Sequence, residues 1–199
     1  MPELPEVEVV KKSLAKEIIN LSIKEVKIKD VNLRYKVKKQ EINNLKGLKI
    51  LSIKRRSKYL LFFLSNKIVM IVHLGMTGKF FLLKKNYPKQ KTSFYYNIEE
   101  SDNDKHDRII FLLNNNLKLI YNDVRKFGFI KVDLVNNIKT NPHFRILGPE
   151  PLSKSFNFRY FKQYLIGRNR FIKNLLMDQK FVSGLGNIYV NEILFFSKI

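Results

Sequence analysis

The feature that most restricts how this chain can fold is a succession of short, β-rich runs between residues 22 and 134. They are Val26 to Val31, Leu48 to Ile53, Tyr59 to Leu64, Ile68 to Val72, Lys79 to Leu83, Arg108 to Leu113, Leu117 to Tyr121 and Phe129 to Leu134. Turn-forming residues such as Ser65-Asn66 and Asn114-Asn115-Asn116 separate neighbouring runs, as hairpins require. Many short strands at this spacing predict an antiparallel sandwich or flattened barrel. The stretch from Asn97 to Asp107 is rich in Asp, Glu and Asn and reads as a loop.

Helical periodicity flanks this region on both sides. Val7, Val10, Leu14 and Ile18 recur at three- and four-residue steps, with Pro5 near the first turn of the helix they define. Beyond Asn141-Pro142 and Gly148-Pro149-Glu150-Pro151, the segments Phe158 to Ile166, Phe171 to Met177 and Ile188 to Phe196 can each turn an apolar stripe inward. The fold class that follows is α+β: an N-terminal helix and antiparallel β-sandwich over 1–134, a linker over 135–152, and an all-α part over 153–199. No internal repeat or low-complexity segment interrupts this order.

Charge narrows the partners. The chain has 38 Lys+Arg against 17 Asp+Glu, a formal net charge of +21, which favours a polyanion. A run near the ~20 apolar residues of a spanning helix is absent from the sequence, as is a secretory apolar region, so nucleic acid is preferred to a membrane. Cysteine is absent, and His73, His106 and His143 are too scattered for a zinc-ligand spacing. Zero cysteine suits a reducing cytoplasm.

Separated motifs then converge. Met1-Pro2-Glu3-Leu4-Pro5-Glu6-Val7-Glu8, Arg55-Arg56-Ser57-Lys58-Tyr59-Leu60, His73-Leu74-Gly75-Met76-Thr77-Gly78 and Ser183-Gly184-Leu185-Gly186-Asn187-Ile188-Tyr189 stand in one order along the chain. Tyr121-Asn122-Asp123-Val124-Arg125-Lys126-Phe127-Gly128 and Leu147-Gly148-Pro149-Glu150-Pro151-Leu152 lie between them. Taken together they closely resemble the formamidopyrimidine-DNA glycosylases. The resemblance runs from the first residue to the last and implies that the helical part is a partial helix-two-turn-helix domain.

It also implies a bifunctional DNA glycosylase/abasic-site lyase of base-excision repair, acting on oxidised purines in double-stranded DNA. Leu4 in the opening motif favours this branch over the related endonuclease VIII type, which prefers oxidised pyrimidines. A rival of another class is a non-catalytic DNA-binding fragment. Pro2 is the implied nucleophile once Met1 is removed: an N-terminal secondary amine titrates near ~8, so part of it is neutral at physiological pH. Glu3 is the implied general acid/base. Glu6 matches a supporting carboxylate and equally suits a first-turn position opposite the helix dipole. Lys58, in a charge run that would otherwise be a solvated face, matches a phosphate-contacting catalytic lysine.

Met76, Arg125 and Phe127 match the family's void-filling residues, a flexible thioether, a planar cation and an aromatic wedge that replace an extruded nucleotide. Core packing is the competing role for Met76 and Phe127. Backbone N–H groups of residues 183–187 before a helix could cradle a phosphate beside Asn187. His106, Arg125 and, more loosely, Arg168 match DNA-contact positions, and Lys173 matches a lysine near the substrate base. The resemblance implies no cofactor for the chemistry, and zinc in full-length family members, held by a four-cysteine finger whose ligands are absent from this sequence, so no metal site is assigned. The remaining expectations are a C-terminally truncated, monomeric, cytoplasmic bacterial protein associated with the nucleoid. Lys126 replaces the more usual arginine, keeping the charge but weakening bidentate bonding.

Overall fold

The computed structural model describes residues 2–84, the strand residues Gln90 and Lys91, and residues 104–199. The chain opens with α1, Leu4–Ile18, followed by β1, Ile23–Ile28, and a short helix α2, Lys39–Asn43. Strands β2, Ile50–Arg56, β3, Tyr59–Leu64, β4, Ile68–His73, and β5, Gly78–Leu83, come next. After β6, Gln90–Lys91, follow β7, Asp107–Leu113, β8, Lys118–Asp123, and β9, Phe129–Leu134. Helices α3, Phe158–Leu165, α4, Ile172–Met177, and α5, Asn187–Phe196, complete the chain.

The strands form two sheets, β1-β7-β8-β5-β6 and β2-β3-β4-β9, and every neighbouring pair is antiparallel. Between them lies a core containing Phe62, Phe80, Phe111 and Tyr121. Helix α1 joins this core through Val7, Val10, Leu14 and Ile18, the residues whose spacing predicts it, each at most 1% exposed. Burying such side chains contributes about 1.5–3 kcal/mol apiece. The helix begins three residues earlier than its apolar stripe, because Glu3 stands at the N-cap and Pro5 is tolerated in the first turn.

Strands β3 and β4 read as nearly continuous apolar runs, Tyr59 to Leu64 and Ile68 to Val72, because both faces of their sheet are covered. One face meets the inter-sheet core. The other carries Leu61, Val69, Ile71 and Phe129, capped by Phe144 with Val135, Ile138 and Leu147 from the segment expected as a linker. β1 starts and ends three residues ahead of its expected range. Ile23 is buried, whereas Lys29 and Asp30 have already turned to donate their N–H groups to Arg108 O. Helix α2 has no signal in the sequence pattern. The loop expected over 97–107 lies outside the described residues as far as Asn103; its last residues form a 3₁₀ turn, Asp104–His106, and Asp107 opens β7.

In the helical part, Leu175, Leu176, Phe181, Val182, Leu185 and Val190 form a separate core. Phe181 is fully buried, stacked on Tyr164 at 4.0 Å between ring centroids and on Tyr160 at 5.8 Å. The Tyr160 hydroxyl donates to Phe181 O at 2.9 Å, so the ring cluster also fixes the backbone between α4 and α5. Phe181→Ala is expected to cost about 3–5 kcal/mol, as large aromatic truncations in closed cores do. A chemical-denaturation midpoint close to that of the parent protein would show that this cluster is loosely packed.

Candidate active site

The two cores meet at the N-terminus. Leu4 N–H donates to Gly184 O at 3.0 Å, and the Glu3 carboxylate, 2% exposed, turns to the start of α5. It accepts from Gly186 N–H at 2.6 Å, Ile188 N–H at 2.9 Å and Tyr189 N–H at 3.4 Å. These are the orphan donors of a helix N-terminus, and a carboxylate there satisfies them. The expected phosphate cradle over 183–187 therefore needs correction: Ser183 N–H is taken by Pro149 O, Gly184 N–H by Gln179 Oε1 and Gly186 N–H by Glu3. Asn187 remains exposed at the first position of α5. Glu6 binds Glu3 N–H at 2.9 Å and accepts from the Tyr189 hydroxyl at 3.0 Å. Pro2 is buried beside this junction.

Lys58 reaches the same junction from a tight turn. Arg56 pairs with Tyr59 across β2 and β3, leaving Ser57 and Lys58 as the two loop residues. Ser57 has φ +53°, a left-handed conformation costly for a residue with a Cβ. Glu150 and Arg55 hold it there. Glu150 Oε1 accepts Ser57 N–H at 2.7 Å, and Arg55 Nη1 donates to Ser57 O at 2.9 Å. Arg55 also binds Glu150 through both carboxylate oxygens, at 3.0 and 2.8 Å, and binds Glu8 at 2.8 Å. Arg56 donates to Leu147 O, Gly148 O and Ser183 Oγ, closing the joint between the parts. Burial pushes the Glu150 carboxyl up, but the Arg55 and Ser57 hydrogen bonds and the two guanidinium charges outweigh it, leaving it below the usual carboxylate range.

Lys58 is 6% exposed, and its ammonium has no hydrogen-bond or ion-pair partner among the described residues. Burial lowers its pKa, opposed by the charges of Glu3 and Glu6. A buried cation without a partner is unstable unless an anion arrives.

A second grouping surrounds a neighbouring cleft of about 530 Å³ lined by Arg34, His73, Gly75, Met76, Arg125, Lys126 and Phe127. Met76 and Phe127 are 42% and 44% exposed, so core packing does not account for either. Arg125 lies over the Phe127 ring at 4.5 Å. Lys126, at φ +59°, pairs instead with Asp30 at 2.7 Å. His73 accepts Gly75 N–H at Nδ1 and stacks on Phe129. The structure thus brings together Glu3, Glu6 and Lys58 near Pro2, and separately Met76, Arg125 and Phe127. His106, beside Arg108 at the start of β7, and the exposed Arg168 and Lys173 lie outside both groupings. Arg168 folds back to donate to Tyr164 O and lies over the Tyr164 ring.

Sequence reasoning passed over Arg34, which sits in an irregular stretch, and the Arg55, Arg56 and Glu150 joint, whose residues stand in quoted motifs but whose pairing spans 95 positions. Among the described residues no cluster of three or more His, Cys, Asp or Glu could hold a metal, and the chain has no cysteine. The described residues do not fit a zinc site. No helix among them is long and apolar enough to cross a membrane.

Two outcomes follow. Glu150→Ala leaves two guanidiniums short of their partner and is expected to destabilise the chain by about 3 kcal/mol in denaturant titration; an unchanged midpoint would show that the joint is dispensable. His73 is held down to about 4 by burial and by the charges of Arg34, Lys58 and His143, against an ordinary 6.5. Between those values the unfolded chain takes up a proton that the folded chain refuses, so stability is full above 6.5 and falls as pH drops towards 4. His73→Asn, which keeps an acceptor for Gly75 N–H, should flatten that fall; an unaltered pH slope would assign it to other groups.

Comparison with known proteins fits this geometry. A family model described as the formamidopyrimidine-DNA glycosylase N-terminal domain matches residues 1–130, and one for the H2TH domain of the same enzymes matches 147–199. The formamidopyrimidine-DNA glycosylase of Rickettsia felis is 42% identical over all of this chain and 67% of its own length. That of Rhodopseudomonas palustris is 37% identical over 98% of this chain and 66% of its own. The chain thus spans about two thirds of the length of these curated relatives. Lactococcus lactis Fpg in complex with DNA containing an abasic site superposes with a TM-score of 0.84 at 33% identity, covering 99% of this chain and 68% of that one. A Lactococcus lactis Fpg mutant in complex with Fapy-dG DNA gives the same TM-score and identity. The chain belongs to the formamidopyrimidine-DNA glycosylase family.

Proposed function

We propose that this chain is a base-excision repair enzyme that removes oxidised purines, 8-oxoguanine and formamidopyrimidines, from duplex DNA and then cleaves the strand. The observation that carries the reading is the unpartnered, buried ammonium of Lys58 facing the charges of Glu3 and Glu6 beside Pro2. A lysine so placed is short of an anion, and a DNA phosphate supplies one. With Met1 removed, the Pro2 nitrogen is a secondary amine. Its lone pair attacks the sugar C1′, the glycosidic bond breaks, and the damaged base leaves with its electron pair and takes up a proton.

The nitrogen then gives up its proton, the C1′–O4′ bond breaks as O4′ takes one up, and the resulting iminium, with no N–H left to lose, stays cationic. It draws electrons from the C2′–H bond; loss of that proton expels the 3′ phosphate, and a second elimination expels the 5′ phosphate. Glu3 is the group placed to carry protons in these steps, with its carboxylate oriented by the α5 N–H groups. Glu6 holds the peptide N–H of Glu3 and so sets the direction of the chain leaving Pro2. Met76, Arg125 and Phe127 fill the space of the extruded nucleotide. The excess of positive charge draws the duplex in, and Asn187, His106, Arg168 and Lys173 extend the contact surface. Association with the bacterial nucleoid follows from such DNA binding.

Borohydride reduction during reaction with 8-oxoguanine or abasic duplex should trap a covalent adduct on Pro2, located by mass spectrometry of the digested protein. Lys58→Met should lower the trapping rate by about 10²-fold or more, while Pro2→Gly should move or abolish the adduct. An adduct mapped to Lys58 in the parent protein would overturn the assignment of the nucleophile.

A further inference from the structure

Two crossovers between the sheets lie side by side at one end of the sandwich. Residues 74–77 lead from β4 to β5, and residues 124–128 lead from β8 to β9. Their backbones touch: a Cβ added to Gly75 would fall 2.4 Å from Gly128 N and from Phe127 C. The first crossover carries Met76, and the second carries Arg125 and Phe127.

Between them sits the Asp123 carboxylate, fully buried. Its Oδ1 accepts the Thr77 hydroxyl at 2.5 Å and Lys126 N–H at 3.1 Å. Its Oδ2 accepts Gly128 N–H at 2.8 Å and the Tyr121 hydroxyl at 3.3 Å. Thr77 Oγ1 in turn accepts Arg125 N–H at 3.0 Å. The Thr77 hydroxyl is therefore both donor and acceptor across the gap, linking the Met76 turn to the buried carboxylate and to the peptide that presents Arg125.

We infer that Thr77 is a positioning residue for nucleotide extrusion, its hydroxyl clipping the Met76 turn to the Arg125–Phe127 loop so that both enter the duplex as one body. This rests on the wedge role assigned above to Met76, Arg125 and Phe127. An apolar wedge separates base steps only if the backbone behind it does not yield. A loop that must first be ordered spends binding energy on its own entropy. Asp123 gives the clip a fixed anchor, since a buried carboxylate with several donors has few alternative arrangements. The short Thr77 contact falls in the range of charge-assisted bonds.

The test compares single-turnover release of 8-oxoguanine from duplex with cleavage at a preformed abasic site, where no base must be pushed out. Thr77→Val keeps the shape and removes the hydroxyl. It is expected to slow base release about tenfold, the scale of one lost charge-assisted bond, and to leave abasic cleavage within about twofold. Thr77→Ser should restore base release. Thr77→Val added to Phe127→Ala should cost less than the two separately, because both act through one wedge.

Phe127→Ala alone separates the two levels of inference. If it slows both substrates equally, the wedge reading fails. If it is selective for the base-containing duplex while Thr77→Val is silent, or slows both substrates alike, the wedge stands and the clip is overturned.

Discussion

Arg55 places its guanidinium against both oxygens of Glu150, and Glu150 also takes the N–H of Ser57. Arg56 reaches past them to the carbonyls of Leu147 and Gly148 and to Ser183. Remove this knot and three things loosen together. The left-handed turn at Ser57 loses the contacts that hold a non-glycine residue there, and Lys58 loses its direction. The segment around Gly148 loses its tie to β2, and with it the helical part loses its angle to the sandwich. Glu3 can meet the start of α5 only at that angle.

The region so held departs from the rules that govern the inter-sheet core. There apolar side chains such as Phe62, Phe80 and Phe111 are buried against one another. Here Lys58 is buried without a partner, Met76 and Phe127 stand partly in solvent, and Ser57 and Lys126 have positive φ. Each departure lowers stability and each is offset by rigid surroundings: the Glu150 knot behind Lys58, the Asp123 carboxylate behind the cleft, and the Asp30 pair beside Lys126. Strain and unsatisfied charge gathered in one place fit the proposed reading of a site that takes a phosphate and an extruded base.

How much of this was legible in the sequence depended on range. Periodicity over ten residues located α1 and the strands within a few residues, and β3 and β9 fell on their expected ranges. The motifs located Glu3, Lys58, Met76, Arg125 and Phe127. Pairing across long separations was not legible. Nothing in a linear reading couples Arg55 to Glu150 or Thr77 to Asp123, because such partners are chosen by the topology of the crossovers. The glycine-rich run at 183–187 misled for the same reason: its N–H groups looked available to phosphate until the fold placed Pro149 O, Gln179 and Glu3 on those of Ser183, Gly184 and Gly186. Helix α2 escaped notice because five residues are too few to show a period.

The contact between Glu3 and the start of α5 joins residues 183 and 185 positions apart. A ribosome makes Pro2 and Glu3 well before the α5 residues whose N–H groups hold the Glu3 carboxylate. Until those residues emerge, the N-terminus is present while the surroundings of the proposed nucleophile are incomplete. Contacts of such sequence separation also close late in folding, after local helices and hairpins have formed. Assembly of the proposed reactive centre therefore waits on both the N-terminal residues and the start of α5.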